Sequence, residues 1–498
     1  MGTVTPQERN ARASWHEEGQ EGVTPANVGP TPGASIRLLV FDPVGGLLVH
    51  TVTGVALTVV VSGLSLGLAL LAGVTLWWQL HAWRTPDTLA RVGFTAGAGT
   101  PQHSFSLLVP ARHEEAVLGE TLRRLLRSDH PDVEVLAIVG HDDDGTRAVA
   151  ETVAAEHPDR VRVVVDHSWP KNKPKALNTA LPLCRGDVVG VVDAEDEVDL
   201  RLLRRVDSAF VDSGAAVVQG GVQLMNFASS WFSLRNCLEY FYWFRSRLHL
   251  HAEHRFIPLG GNTVFVRTAL LRELGGWDPE CLAEDCDLGV RLSSRGHSVE
   301  VCYDPHLVTR EETPDSVRSL LKQRTRWNQG FLQVLRKQEW RRLPARQRFL
   351  ARFTLSSPFL QAFTGVALPV SIALALFAKV PVGLAVLSFL PAIPTIAAVV
   401  FDAVALREFG RIYYVRPRLR HYVSLVLSTF PYQVVLAAAA LRAVWRESRG
   451  ERGWEKTEHV GAHRRPGAGT TEEPPGFGGP AGRPSARPVP SFAAGEVA

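Results

Sequence analysis

Residues 188–199 read VVGVVDAEDEVD, a short apolar run that stops abruptly in a cluster of carboxylates. Four to eight apolar residues bounded by polar ones are too few for a helix and match a buried strand. The run therefore predicts a strand that delivers Asp193, Glu195 and Asp196 directly at its end. The same pattern recurs on both sides, in SLLVP (106–110), VEVLAIVG (133–140), VRVVVD (161–166) and AAVVQG (215–220). Between these runs lie Arg-rich helical segments such as ETLRRLLRS (120–128). Apolar strands without polar alternation, separated by helices, belong to a sheet buried on both faces, so residues 103–335 are expected to form an α/β domain. In open α/β sheets ligands bind at the carboxyl ends of the strands, which makes the carboxylates there informative.

The remainder of the 498 residues is segregated rather than mixed. Hydrophobic residues make up 45% and charged residues 21%, and the two are concentrated in different stretches. A net charge of +4 is too small to argue for nucleic acid as a partner. Cys184, Cys237, Cys281, Cys286 and Cys302 are scattered and odd in number, which speaks against a disulfide framework and for a reducing compartment. Cys281 and Cys286 lie close together, but no second pair completes a zinc motif.

Residues 1–36 are polar and rich in Gly, Pro and Glu, which predicts a disordered segment without the form of a secretory signal. From 47 to 80 the chain is almost uncharged, longer than the roughly 20 residues one crossing needs. It reads as one tilted transmembrane helix or a tight hairpin. Residues 336–352, with RKQEWRRLPARQRF at their start, read as an interfacial amphipathic segment attracted to anionic lipid. The region 353–445 follows, with about three further membrane helices at 353–379, 382–406 and 421–445. The connector 407–420 carries Arg407, Arg411, Arg416, Arg418 and Arg420 against Glu408, which places it on the cytoplasmic side. A single last pass then puts Arg446, Arg449 and Arg452 outside, against the same rule, so either 421–445 is re-entrant or the number of passes differs. The Gly/Pro-rich end, 455–498, is expected to be a disordered tail.

Several further segments put reactive groups near the strand ends. PARHEE (110–115) supplies Pro110, Glu114 and Glu115, and GHDDDGT (140–146) supplies Asp142, Asp143 and Asp144. KNKPKALNTAL (171–181) offers Lys175 to touch a phosphate and Asn178 to orient it. In FIPLGGNTVFVR (256–267), Gly260 and Gly261 let the backbone approach a ligand, with Asn262 beside them. GGWDPECLAEDCDLGVRL (275–292) brings Glu284 and Asp285, and LLKQRTRWNQG (320–330) brings Gln323, Arg324, Arg326 and Trp327. The aromatic stretch 226–244 reads either as a core helix or as an interfacial helix near an acceptor entrance. An acidic loop alone only keeps a strand end soluble. Carboxylates that hold Mg²⁺ or Mn²⁺ against a diphosphate are the alternative use, because hard cations prefer oxygen ligands.

In this order the motifs resemble the processive, membrane-bound family-2 glycosyltransferases, the group with the cellulose, chitin and hyaluronan synthases. The resemblance covers roughly residues 104–335. It rests on PARHEE, GHDDDGT, KPKALN, DAED, AED and QRTRW taken together. It implies a GT-A-like nucleotide-sugar-binding domain flanked by transmembrane helices. The implied activity is that of a metal-dependent hexosyltransferase in the plasma membrane, with its catalytic domain cytoplasmic. Such an enzyme takes a sugar from a nucleotide-sugar donor, expected to be UDP-linked, and adds it with inversion to a growing glycan or lipid-linked acceptor. The resemblance makes Asp193, with Glu195 or Asp196, the Mg²⁺ or Mn²⁺ ligands. It makes Asp285, beside Glu284, the catalytic base. Pro110, Glu114, Glu115, Asp142, Asp143, Asp144, Lys175, Asn178, Gln323, Arg324, Arg326 and Trp327 fall in the donor site, with Asp142 the first choice for the nucleoside. Gly260, Gly261, Asn262 and Trp327 fall on the acceptor side.

The chain departs from the pattern at three places. His113 stands where asparagine is usual, Ala283 replaces a threonine, and GHDDDGT is one residue short. Within the same chemistry the rival is a single-transfer enzyme acting on a lipid. From another class, a carbohydrate-binding membrane protein on an inactive domain has no need of the carboxylates at 193, 195, 196 and 285. A transporter needs mid-membrane polar groups of which these spans are nearly free.

Overall fold

The computed structural model describes residues 43–81, 100–377, 381–455 and 461–464. The segment 1–36 and most of the tail 455–498 lie outside the described residues. The chain divides into an N-terminal unit, residues 1–56, and a main unit, residues 57–498. In the first unit only the opening turns of helix α1 (Pro43–His81) are described, and the rest of α1 belongs to the second.

The soluble part is built on nine strands. They are β1 (Phe105–Ala111), β2 (Val133–Gly140), β3 (Val161–Asp166), β4 (Val188–Val191), β5 (Val217–Gly220), β6 (Val222–Leu224), β7 (Val264–Arg267), β8 (Val299–Cys302) and β9 (Thr309–Glu311). Seven form one sheet in the order β3-β2-β1-β4-β7-β5-β8, and β6 pairs with β9 in a small parallel sheet. This is the α/β, GT-A-like arrangement. The sheet is mixed, however. β7 runs antiparallel to both β4 and β5, whereas the other neighbours are parallel. Apolar runs alone do not encode strand direction, so this reversal had no signature in the pattern.

Alternation along each strand explains the uninterrupted apolar runs. Leu108, Leu136, Ile138, Val189 and Val191 face one core, while Leu107, Val109, Val135, Ala137 and Val188 face another. Successive strand side chains point to opposite faces, so a sheet covered on both sides needs apolar residues at every position. Helices cover it: α2 (Leu118–Leu126), α3 (Asp144–Glu156), α4 (Lys173–Ala180) and α5 (Leu202–Ser213) follow the early strands. The aromatic stretch becomes α6 (Ser233–Tyr242), a π-turn at Trp243–Arg247, and α7 (Leu248–Glu253). After β7 come α8 (Thr268–Glu273), α9 (Glu284–Ser294) and the long α10 (Val317–Lys337).

The C-terminal helices are α11 (Ala345–Leu355), α12 (Ser357–Phe377), α13 (Val382–Ser388), α14 (Ala392–Ile412), α15 (Leu419–Leu427) and α16 (Thr429–Ser448). Among the described residues, Gly54–His81, Ser357–Leu374 and Val382–Ile412 are long and apolar enough to cross a membrane. The stretch expected as a third C-terminal span, or as a re-entrant segment, is a pair, α15 and α16, that together is long and apolar enough to cross and is bent by 47° at a break. Large apolar side chains such as Leu70, Leu376, Phe377, Val382 and Leu427 are exposed on these helices.

One side chain ties the soluble domain to this helical region. Arg235 of α6 donates to Asp402 Oδ2 on α14 at 3.1 Å, to the Leu425 carbonyl on α15 and to Thr429 Oγ1 on α16. The other Asp402 oxygen accepts from Gln79 Nε2 of α1 at 2.8 Å. A buried carboxylate in apolar surroundings is costly unless paired and hydrogen-bonded, and here both oxygens are used.

Candidate active site

A cavity of about 890 Å³ opens at the carboxyl ends of β1, β2, β3 and β4 and runs to the apolar helices. Pro110, Arg112, Gly140, Asp166 and Lys171 line it at and after the strand ends, Glu284, Asp285, Arg326 and Trp327 from α9 and α10, and Trp78, Gln79 and Gln361 from α1 and α12.

The loop after β4 presents Asp193 and Glu195 to the cavity. Asp196, completely buried, turns the other way. Its Oδ2 accepts from the Asp193 backbone N–H at 2.8 Å, and both of its oxygens accept from Asn262 Nδ2 at 3.1 Å. Burial, and then the nearby Glu311, push the Asp196 carboxyl well above the usual range. The three neighbouring acids therefore do two jobs: two face the cavity and one shapes the turn that aims them. From behind, Thr121 Oγ1 donates to the Ala194 carbonyl at 2.6 Å. Arg464 donates to the carbonyls of Glu195 and Asp196 at 2.8 and 3.1 Å.

Glu284 and Asp285 begin helix α9, where unsatisfied N–H groups favour negative charge. Asp285 Oδ1 accepts from the Cys286 N–H at 2.7 Å. Burial and then the adjoining Asp285 push Glu284 up to about 7, with Lys173 and Arg326 pulling it back. Asp285 is raised too, chiefly by burial. Gly261 packs closely here, since a Cβ on it lies 3.1 Å from Asp285 Oδ2, a tight contact. The small residue at 283 also has a reason. A Cβ on Gly330 of α10 falls 2.4 Å from the Ala283 Cβ, so the helix and the loop pack too closely for bulk on either side.

On α10 the two arginines differ. Arg324 pairs with Glu239, donates to Asn236 Oδ1 and lies 4.7 Å from the Trp327 ring. Arg326 donates weakly to the Leu282 carbonyl at 3.5 Å, and its guanidinium carbon lies 4.4 Å from the Trp454 ring. The Nε of both arginines has no hydrogen-bond partner among the described residues, so the two differ in how their terminal nitrogens are engaged. Arg326 is thus the guanidinium available to a ligand, while Arg324 is held in place. Gln323 also reaches the cavity.

The remaining expected donor residues divide. Pro110 and Glu114 line the cavity, as do Gly260, Gly261 and Asn262 on the acceptor side. Glu115, Asp142, Asp143 and Asp144 do not. Asp142 forms a two-pronged pair with Arg112, both contacts 3.1 Å, and it is Arg112 that faces the cavity. Asp143 caps α3 and accepts from the His113 N–H at 2.6 Å. Glu115 accepts from Thr146 Oγ1, and Asp144 opens α3. His113 has φ +52, a left-handed conformation that asparagine takes readily and histidine tolerates, which accounts for the exchange at that position.

Lys175 and Asn178 also lie outside the cavity. Lys175 Nζ donates to the Pro170 carbonyl and sits 3.5 Å from Glu280, and Asn178 bonds both backbone groups of Trp277. Lys173 reaches the cavity, as Lys171 does, and it pairs with Asp193 and donates to the Gly261 carbonyl at 2.8 Å. Sequence reasoning missed it, and missed Arg112, Asp166 and Trp454. Lys171, Lys173 and Lys175 alternate in one short stretch, and the start of α4 at Lys173 leaves the first two on the cavity and the third outside it. In the aromatic stretch Phe241 and Phe244 are buried, and Tyr240, Tyr242, Trp243 and Phe244 line the cavity.

Residues 101–330 match the model of the glycosyltransferase-like family 2. Over this stretch, 46% of the chain, the protein is similar to the family 2 glycosyltransferases. The β-monoglucosyldiacylglycerol synthase of Synechocystis is 29% identical over 248 residues, covering 48% of this chain and 50% of the relative. That of Trichormus variabilis is 30% identical over 233 residues, covering 46% and 49%. A poly-β-1,6-N-acetyl-D-glucosamine synthase of Staphylococcus epidermidis is 23% identical over 244 residues, covering 47% and 56%. The chain thus spans about half the length of the curated relatives it matches. In fold it is similar to a mannosyltransferase of Pyrobaculum calidifontis, solved with GDP-Man and Mn²⁺. The TM-score is 0.51 at 20% identity, covering 79% of this chain and 99% of that one.

Proposed function

We propose that this glycosyltransferase domain moves a sugar, with inversion, from a nucleotide-sugar donor to an acceptor hydroxyl presented from the membrane side. The observation that carries the reading is the single cavity joining the strand ends, the Glu284–Asp285 pair and the membrane-length helices. The donor occupies the end beside Arg112, Asp166 and Lys171, and the acceptor enters past Trp78 and Gln361.

The residues present fit a divalent cation. Asp193 and Glu195 give two hard oxygen donors on one loop, which suits Mg²⁺ or Mn²⁺ shared with phosphate oxygens. When bound, such an ion neutralises the charge that develops on the departing diphosphate. Arg326, a planar donor fork, receives the same phosphates. Asp285 takes the proton of the acceptor hydroxyl as that oxygen attacks the anomeric carbon. Its raised pKa makes it a better base than an exposed aspartate, as long as it remains ionised. Trp327 and Tyr240, their ring centroids 6.4 Å apart, supply flat apolar faces for a sugar.

A second reading, single transfer to a lipid, draws support from the membrane-length helices that contribute Trp78, Gln79 and Gln361 to the cavity and from the glucosyldiacylglycerol synthases among the relatives. Mass spectrometry of the product made from membranes given UDP- and GDP-sugars separates the two. Repeated sugar increments support extension of a glycan, and one increment on an extractable lipid supports single transfer. No transfer from any donor refutes both.

A further inference from the structure

Away from the donor loop, three side chains of another chemistry converge. His81 ends helix α1, and His249 and Glu253 stand one turn apart on the segment Leu248–Glu253. One ligand atom from each lies within 4.8 Å of the other two, and His249 Nδ1 is 3.5 Å from Glu253 Oε1. This meeting is built into the packing. Ser246 Oγ donates to the Trp78 carbonyl at 2.7 Å, and the Arg247 guanidinium lies 3.9 Å from the Trp78 ring. These two contacts fix the register of α1 against α7. Positions 78 and 81, and positions 249 and 253, are helical neighbours on a common face.

We propose that His81, His249 and Glu253 bind one divalent transition-metal ion, with Zn²⁺ the best match. Two imidazoles and one carboxylate, with a fourth position left for water, form a ligand set that zinc accepts in tetrahedral geometry. Imidazole selects zinc over magnesium, whereas the Asp193–Glu195 loop offers oxygen alone. The two sites therefore divide cations by ligand chemistry. Bond lengths near 2.0–2.1 Å put tetrahedral ligand atoms about 3.3 Å apart, so side-chain rotation by about an ångström closes the site. His249 is buried, while the Glu253 side chain is 45% exposed, giving the ion a route in and water a place.

The consequence lies in what the ion joins. Trp78 and Gln79 of α1 line the membrane end of the cavity, and so do Trp243, Phe244 and Arg247 just before α7. An ion between His81 and α7 sets the width of that end.

The test is metal content of the purified, untagged full chain in lipid nanodiscs. Protein equilibrated with micromolar Zn²⁺ and Mn²⁺ and then desalted is analysed by plasma mass spectrometry. One retained zinc per chain is expected in the wild type and in Asp193→Asn, and none in His249→Gln. Glu253→Gln changes an exposed side chain and leaves the fold intact; it should weaken zinc binding at least about tenfold. Co²⁺ in place of zinc should give visible tetrahedral absorption that the same two variants lose. Zinc retention by the wild type that neither variant reduces overturns the proposal, as does a wild type that retains none.

Discussion

The Lys173 ammonium joins the Asp193 carboxylate to the Gly261 carbonyl, on the loop that packs against Asp285. Burial pulls the lysine pKa down, but Asp193, Glu284 and Asp285 outweigh it and hold the group above its usual value. One cation thus couples the loop expected to hold metal with the acids expected to handle the proton. By the same coupling Lys173 lowers the pKa of Glu284 and Asp285.

Replacing Lys173 with Met removes that counter-charge, so both acids are held protonated to higher pH. Transfer requires ionised Asp285, and the acid limb of the pH–kcat profile should therefore move to higher pH. Lys173→Arg should leave the limb nearer its original place. An acid limb unmoved in Lys173→Met excludes the coupling.

Asp193→Ala should abolish activity, and EDTA should do the same to the wild type. Asp196→Ala should act differently, because Asp196 binds the Asp193 N–H and Asn262 rather than facing the cavity. Losing a buried acceptor costs about 1–3 kcal/mol, so thermal unfolding should fall by several degrees. If Asp196→Ala has wild-type stability and altered metal affinity, Asp196 is a ligand after all.

Arg235→Leu leaves Asp402 buried without its ion partner, a change that typically costs about 3–5 kcal/mol. The double variant Arg235→Leu, Asp402→Leu should recover much of that loss. Detergent-solubilised melting curves of both provide the check. A single variant as stable as the wild type shows that the pair does not hold the domain to the helices.

Single cysteines placed at exposed positions in the soluble domain and in the 407–420 loop should label from the same, cytoplasmic side. The arginines of the loop and the supply of nucleotide sugar both require it. Labelling from opposite faces overturns the orientation.

The main sheet was legible because it is covered on both faces, which writes strands such as β1, β2 and β4 as continuous apolar runs, with carboxylates following β2 and β4. The reversal of β7 was not, because direction leaves no trace in composition. Of the residues singled out in the sequence, Asp193 reaches the cavity from a strand end and Asp285 from a helix start, whereas Arg326 and Trp327 reach it from the middle of α10. Asp142 and Asp143 follow a strand equally closely, yet one orients Arg112 and the other caps a helix. Sequence spacing fixes where a carboxylate is, and only packing decides whether it meets ligand or backbone. Trp454 lies 128 residues beyond Arg326 in the numbering, and no local pattern connects the two.

The account turns on Asp285 as the group that takes the acceptor proton. Asp285→Asn keeps the size and the Cys286 N–H contact while removing the base. With donor binding followed by calorimetry and transfer measured on the same nanodisc preparation, donor affinity should be unchanged. Transfer should fall by about a hundredfold or more, the usual share of general-base catalysis. Near-normal transfer by Asp285→Asn contradicts the account.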